Sequence, residues 1–296
     1  MADHRDFLSG LSPDHKADLT RTSDWAGLIH LALHGGLIAL FGTLIALQIP
    51  LWPLLLPVQG ILIVFLFTLE HECTHRTPFR SPALSDWVGR VSGLLIFLPF
   101  EWFRYFHLAH HRFTNIPGQD PELEGTKPRT PGQWILHVSG LPLWRANLAL
   151  ILRLTTDRER AAYLPERALP RMNREARIML GLYALAAMSL WWSPLLLWVW
   201  LLPIVIGQPF LRLYLLAEHG DCAFVANMFE NTRTTFTNAL IRFLAWNMPY
   251  HVEHHVFPAV PFHRLPDLHQ LMRQNLKVTA RGYTTFTRDY LARRLR

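Results

Sequence analysis

Residues 25–69 read WAGLIHLALHGGLIALFGTLIALQIPLWPLLLPVQGILIVFLFTL, 45 residues without one Asp, Glu, Lys or Arg. Wound as α-helix, such a run is about 67 Å long, against a bilayer hydrocarbon core of about 30 Å. It therefore holds two crossings, and Pro50-Leu51-Trp52-Pro53 marks the turn of a helical hairpin. A second uncharged run, residues 178–211, is interrupted at Ser193-Pro194 and reads as a second, shorter hairpin whose ends extend into the flanking charges. The expectation is an all-α integral membrane protein with four transmembrane helices in two hairpins.

The charge distribution supports that count. Of 296 residues, 50% are hydrophobic and 17% charged, too apolar for an ordinary soluble domain of this size. All 29 Lys and Arg lie outside the two hairpins, in residues 1–24, 70–177 and 212–296, which by the positive-inside rule places both termini in the cytoplasm. Val91 to Phe100 is too short to cross and reads as a re-entrant or interfacial piece. Trp134 to Leu154 is long enough, but Arg145 sits mid-segment and Gly140-Leu141-Pro142 breaks it, so it reads as lying on the membrane surface. The net charge of +7 fits contact with anionic lipid headgroups, and no nucleic-acid-binding motif accompanies it. Cys73 and Cys222, the only cysteines, are expected as cytoplasmic thiols, with Cys73 pointing away from the ligand face.

Sixteen histidines are present, and nine of them form a pattern. HECTH carries His71 and His75, HLAHH carries His107, His110 and His111, HVEHH carries His251, His254 and His255, and His219 stands alone in AEHG. On helices, these spacings present each group in one direction. Neutral imidazole ligates iron, copper, zinc and nickel, so nine of them imply two ions with neighbouring coordination spheres. The other seven (His4, His15, His30, His34, His137, His263 and His269) are scattered. Glu72, Glu218 and Glu253 adjoin ligands in sequence and so point about 100° away on a helix. Glu70, Glu101, Asp120, Glu122 and Asp221 are candidates to orient imidazoles. The aromatic group Phe100, Trp102, Phe103, Tyr105 and Phe106 is a candidate acyl-chain lining. Asn231-Thr232-Arg233-Thr234-Thr235 reads as a polar loop, with a headgroup or carrier contact as the alternative.

HECTH, YFHLAHHRFTN and NMPYHVEHHVFPAVPFHRLP together resemble the three histidine boxes of the membrane fatty acid desaturase and hydroxylase superfamily, over roughly Glu70 to Pro266. The resemblance implies a cytoplasmic helical cap over the spans, holding a non-haem di-iron centre, with the eight box histidines and His219 as iron ligands and O₂ as co-substrate. It further implies a fatty acyl or other lipid substrate. With no fused cytochrome b5 module in the chain, it also implies a separate electron donor of ferredoxin or cytochrome b5 type. Two departures stand out: Leu215 occupies the position four before the extra histidine where the stearoyl-type branch has Asn, and the third box opens with His251 where front-end desaturases have Gln. The expected activity is O₂-dependent desaturation of an aliphatic chain. Hydroxylation, carotenoid ketolation and oxidative decarboxylation to a terminal alkene use the same kind of site, and a membrane metal transporter or sensor is the distant alternative. The expected organisation is a polar cytoplasmic segment, 1–24, followed by one membrane desaturase domain, 25–296, closing with an amphipathic helix near Leu268 to Leu276 and a basic end at Arg293, Arg294 and Arg296.

Overall fold

The computed structural model describes residues 3–125 and 127–294. Two short helices, α1 (His4–Gly10) and α2 (Pro13–Leu19), precede α3 (Asp24–Ala46), α4 (Leu56–Val64), α5 (Leu66–His75), α6 (Pro82–Ile96) and α7 (Phe100–Phe113). Then come α8 (Pro131–Ser139), α9 (Leu141–Thr155), α10 (Leu169–Ser189), α11 (Leu202–His219), α12 (Met228–Asn231), α13 (Ala239–Leu244), α14 (His251–Val256), α15 (Leu265–Met272) and α16 (Tyr283–Arg294). The strands β1 (Thr234–Thr235) and β2 (Thr279–Ala280) pair in parallel. The described residues are thus mostly helical.

Among the described residues, three helices are long and apolar enough to cross a membrane: Pro13–Ala46, Trp52–His75 and Leu197–His219. The number rises to five if each of two bent pairs is counted as one span. The first hairpin turns where the prolines lie, with Leu51 left-handed at φ 66°. In the second hairpin, α10 is not among the three. Its first two turns hold Arg171, Arg174, Glu175 and Arg177, leaving only the stretch to Ser189 uncharged. Trp191 and Trp192 at its far end are 87% and 75% exposed, the placement of an interfacial aromatic belt.

In hydrocarbon each backbone polar group needs a protein partner, and the irregular pieces show how this is met. The residues just before α11, Leu197–Leu201, form a π-helical turn, and Gln59 of α4 donates to the Val199 carbonyl there at 3.1 Å. Val91 to Phe100 is the second half of α6 plus a sharp corner: Phe97 takes a left-handed conformation, and α6 and α7 meet at 101°. The corner's free carbonyls are capped from α10 and the π-turn, Tyr183 Oη donating to Leu94 O at 2.8 Å and Trp200 Nε1 to Leu95 O at 2.7 Å. Trp134 to Leu154 is broken at a left-handed Gly140, where α8 and α9 bend by 52°. His34 ties α3 to α4 through Leu62 O at 2.9 Å.

The described residues at either end are also helical, and the C-terminal part differs from expectation. Residues before Asp24 form two capped helices, and Leu19 joins the main hydrophobic cluster. The C-terminal amphipathic helix starts earlier and stops sooner than Leu268 to Leu276. Pro266 sits in its first turn, where a missing N–H costs nothing, and the chain leaves it to pair β2 with β1. The basic end belongs to a further helix, α16, whose Arg293 and Arg294 pair with Asp221; Arg296 lies outside the described residues.

Helices α4 and α11 cross with their backbones in contact. A Cβ on Gly60 would lie 2.0 Å from Pro203 O, and one on Gly207 would lie 2.3 Å from the Gly60 carbonyl carbon. This is the small-residue packing that joins helices in a bilayer. Gly60→Val is expected to push the pair apart, cost about 1–3 kcal/mol and lower the melting temperature in detergent. Gly35→Ala, at a glycine with nothing within 4 Å of its added Cβ, serves as the control and is expected to melt like the parent.

Candidate metal centre

The nine histidines converge from four helices: His71 and His75 from α5, His107, His110 and His111 from α7, His219 from the end of α11, and His251, His254 and His255 from α14. Five of them (His71, His75, His107, His111 and His254) offer nitrogens all within 4.8 Å of one another, and so do His110, His219 and His255. His251 adjoins the second group, its Nε2 3.0 Å from that of His219. The second and third boxes are therefore each divided between the two groups.

The tautomers follow from the partners of the other ring nitrogen. His110 Nδ1 meets Asp120 Oδ1 at 2.9 Å and His219 Nδ1 meets the Asn231 carbonyl at 3.1 Å. Both partners only accept, so both Nδ1 atoms carry the hydrogen and both Nε2 atoms are bare lone pairs. Thr114 donates its hydroxyl to His110 O at 2.8 Å and accepts from His255 Nδ1 at 3.1 Å, leaving His255 Nε2 bare, buried and without a partner. The bare nitrogens of His110 and His219 face each other at 3.2 Å. In the larger group, Nε2 of His71 is 2.8 Å from that of His254, and Nε2 of His75 is 2.9 Å from that of His107. Two bare lone pairs at the His110–His219 distance repel unless a cation lies between them. Ligands bound at about 2.1 Å and at right angles are separated by about 3.0 Å, which matches these spacings. Both ring nitrogens of His111 are buried without a hydrogen-bond partner, as in a ring whose partner is a metal. The donor set fits two metal ions.

Burial, with repulsion from neighbouring histidines, holds His251, His254 and His255 well below the usual imidazole value. They are neutral near pH 7, the form that binds metal.

Of the acids expected to orient imidazoles, Asp120 does so, and Glu122 stands 3.3 Å from the same Nδ1 of His110. Glu70, Glu101 and Asp221 do not. Glu70 lies against Gly93, Glu101 pairs with Arg90 and Asp221 with the arginines of α16. The acids adjoining the ligands, expected either behind the ligand rings or at the surface, are all buried. Glu72 Oε1 is 3.5 Å from His254 Nδ1, and Glu218 Oε1 is 3.5 Å from His251 Nδ1. Glu253 turns away to His269 Nδ1 and Thr234 Oγ1, both at 2.5 Å, so one of the scattered histidines belongs to the supporting frame.

Asn231–Thr235, expected as a polar loop without a special role, lies inside the protein. All five residues are buried, and they brace the site: Asn231 Nδ2 donates to Thr114 O and to Val225 O. Thr114 and the Asn231 carbonyl were not singled out from the sequence. Only Thr114's place four residues after His110, in reach of that residue's carbonyl, hinted at its part. Cys73 is buried and outside both groups of ligand nitrogens.

A cavity of about 390 Å³ opens beside the centre. His71, His107, His110 and His251 line it together with Phe67, Trp102, Phe103, Phe106, Leu211 and Leu215. Of the five aromatics proposed as a chain lining, Phe100 and Tyr105 do not face it. Phe100 packs under Gly89, and Tyr105 packs against the cluster around Leu150 and Met172.

Asp120→Asn is expected to leave the fold intact and to weaken metal retention about 10–100-fold, measured as metal content after dialysis against graded chelator. For metal-stripped protein, His251, His254 and His255 have lowered folded-state pKa values, so the unfolded chain binds protons first as pH falls below about 6.5. Stability is then full above that pH and declines below it. A melting temperature that rises on acidification from pH 7 to 5 would contradict this.

Residues 47–287 match the family model described as fatty acid desaturase. The chain is 27% identical over 177 residues to the sn-1 acyl-lipid omega-3 desaturase (ferredoxin) of Synechocystis sp., a match covering 58% of this chain and 49% of that protein. It is 25% identical over 203 residues to the sphingolipid delta(4)-desaturase DES1-like protein of Oryza sativa, covering 68% and 57%. A further match, 27% over 206 residues and covering 66% and 58%, is to the sphingolipid delta(4)-desaturase/C4-monooxygenase DES2 of Rattus norvegicus. The chain spans about half the length of the curated relatives it matches. A family model matched over most of the chain, on a helical frame that gathers the three boxes, places this protein in the fatty acid desaturase family.

Proposed function

We propose that this protein is an O₂-dependent fatty acyl desaturase that works at two iron ions held by His71, His75, His107, His111 and His254 on one side and His110, His219, His251 and His255 on the other. The observation that carries the reading is the meeting of nine clustered imidazoles with a cavity walled largely by aromatic and aliphatic side chains. The iron pair, when bound, supplies the O₂-derived oxidant needed to remove hydrogen from an unactivated methylene. The chain's own residues do the rest. Trp102, Phe103 and Phe106 hold an aliphatic chain against the edge of the histidine cluster, and their packing keeps water from the reacting carbons. Asp120, Thr114 and the Asn231 carbonyl hold the hydrogen on Nδ1 of their partners, keeping each Nε2 turned toward the metal.

The same reading takes four spans in two hairpins, with α10 as the fourth, under a cytoplasmic cap, and with both termini and the metal site in the cytoplasm. Residues 1–24 form a polar cytoplasmic segment and 25–296 the membrane desaturase domain. Electrons come from a separate protein of ferredoxin or cytochrome b5 type, in line with the ferredoxin in the Synechocystis relative's name. Hydroxylation is the second reading, favoured by the monooxygenase in the name of the rat relative.

Mass spectrometry of lipids from a host making this protein, beside one making His254→Ala, is expected to find acyl chains lighter by two hydrogens only with the parent. Products carrying an added oxygen would shift the assignment to hydroxylation, and unchanged lipids, free acids and volatiles would overturn both readings.

A further inference from the structure

The cavity wall away from the histidines carries a positive charge, Arg212, that forms no ion pair with a carboxylate among the described residues, and Glu122 acts on it only from a distance. Arg212 lies on α11 seven residues before His219, so it shares that helix face, about 10 Å along the axis. Gln208 follows one turn further from the metal-binding end, and both side chains line the cavity. Arg212 Nε and Gln208 Nε2 are buried without a hydrogen-bond partner, and Gln208 as a whole is only 2% exposed. The guanidinium's one hydrogen-bonding neighbour among the described residues is the His137 ring, at 3.2 and 3.4 Å from Nη2. A guanidinium stays protonated at every physiological pH, so this charge is permanent.

The other charged groups on the wall do not neutralise it. Glu122 is directed at His110 Nδ1, 3.3 Å away, and Glu218 at His251 Nδ1, 3.5 Å away. Lys127, also on the wall, donates to the His219 carbonyl at 2.8 Å and adds a second cation. A charge removed from water and left unpaired is strongly unfavourable, and here the side chain opens onto a cavity large enough to admit a partner. Arginine's planar fork matches a carboxylate with two parallel hydrogen bonds, and the Gln208 amide adds a donor beside it. A neutral ester, as in a glycerolipid, offers neither the charge nor the paired oxygens.

We propose that the cavity binds an unesterified fatty acid, its carboxylate on Arg212 and Gln208 and its chain running along Trp102 and Phe106 toward the histidines. This names the substrate class for the oxidation argued above and rests on that reading for its acyl chain; the carboxylate site itself is tested by binding alone. The full-length protein as isolated, in nanodiscs, would be titrated with the fluorescent cis-parinaric acid and with its methyl ester. The acid is expected to bind about tenfold more tightly than the ester, the size of one charge-assisted hydrogen-bond pair. Arg212→Met is expected to erase that difference while leaving ester binding as it was, Arg212→Lys to keep part of it, and Gln208→Leu to reduce it. If Arg212→Met fails to give a parent-like melt, Arg212→Lys and Gln208→Leu decide. Equal binding of acid and ester by the parent overturns the proposal. So does an acid preference that persists in well-folded Arg212 variants, or displacement by dodecyl phosphate more than tenfold better than by dodecanoate. An acid preference with no oxidised product in the host would leave the carboxylate site standing and remove the desaturase reading; new double bonds without any acid preference would do the reverse.

Discussion

Imidazole nitrogens face one another at about 3 Å in the middle of this protein, the spacing of neighbouring ligands on a shared metal ion. Much of the surrounding architecture can be understood as holding those rings in place. Each Nδ1 with an assigned partner points outward to a group that can only accept or is already donating elsewhere: Asp120, the Asn231 carbonyl, the Thr114 hydroxyl. Those groups are themselves fixed from a further shell, Asn231 by Thr114 and Val225, and Asp120 by the backbone N–H of Asn115 at 2.7 Å. A nitrogen cluster of this kind loses its geometry if any one layer loosens, which is why residues 231–235 are buried rather than displayed.

The membrane imposes the complementary constraint. Helices that end or bend leave carbonyls free, and side chains from neighbouring helices answer them: Gln59 at the π-helical turn, Tyr183 and Trp200 at the corner between α6 and α7. That corner turns the chain through 101° and sends α7, with three of the histidines, across the end of the α4–α5 span. The direct backbone contact at Gly60 and Gly207 brings the α11 end, and so His219, to the same place. The cavity lies between these pieces, with aromatic rings from α7 on one wall and α11 on the other. Arg212, which makes no ion pair among the described residues, stands on the α11 wall away from the histidines.

The residues by themselves determined the class of the molecule and which histidines gather at its candidate metal centre. Uncharged runs of 45 and 34 residues leave little but membrane helices, because no soluble fold buries so much surface without charge. Three clusters of histidine at helical spacing identify which residues meet, since that spacing is a local property of the helix. What the spacing does not contain is the division of ligands. His110 and His111 are neighbours in sequence yet serve different groups, as do His254 and His255, because successive residues on a helix diverge by about 100° and the two groups sit on either side of the converging helices. Nor is the role of an acid readable from its distance in sequence. Asp120, ten residues from His110, reaches it through a loop, while Glu70, beside His71, faces Gly93. The burial of Asn231–Thr235, the early start of α15 and the unpartnered guanidinium of Arg212 are likewise products of packing, since each depends on which distant element comes to lie against that residue.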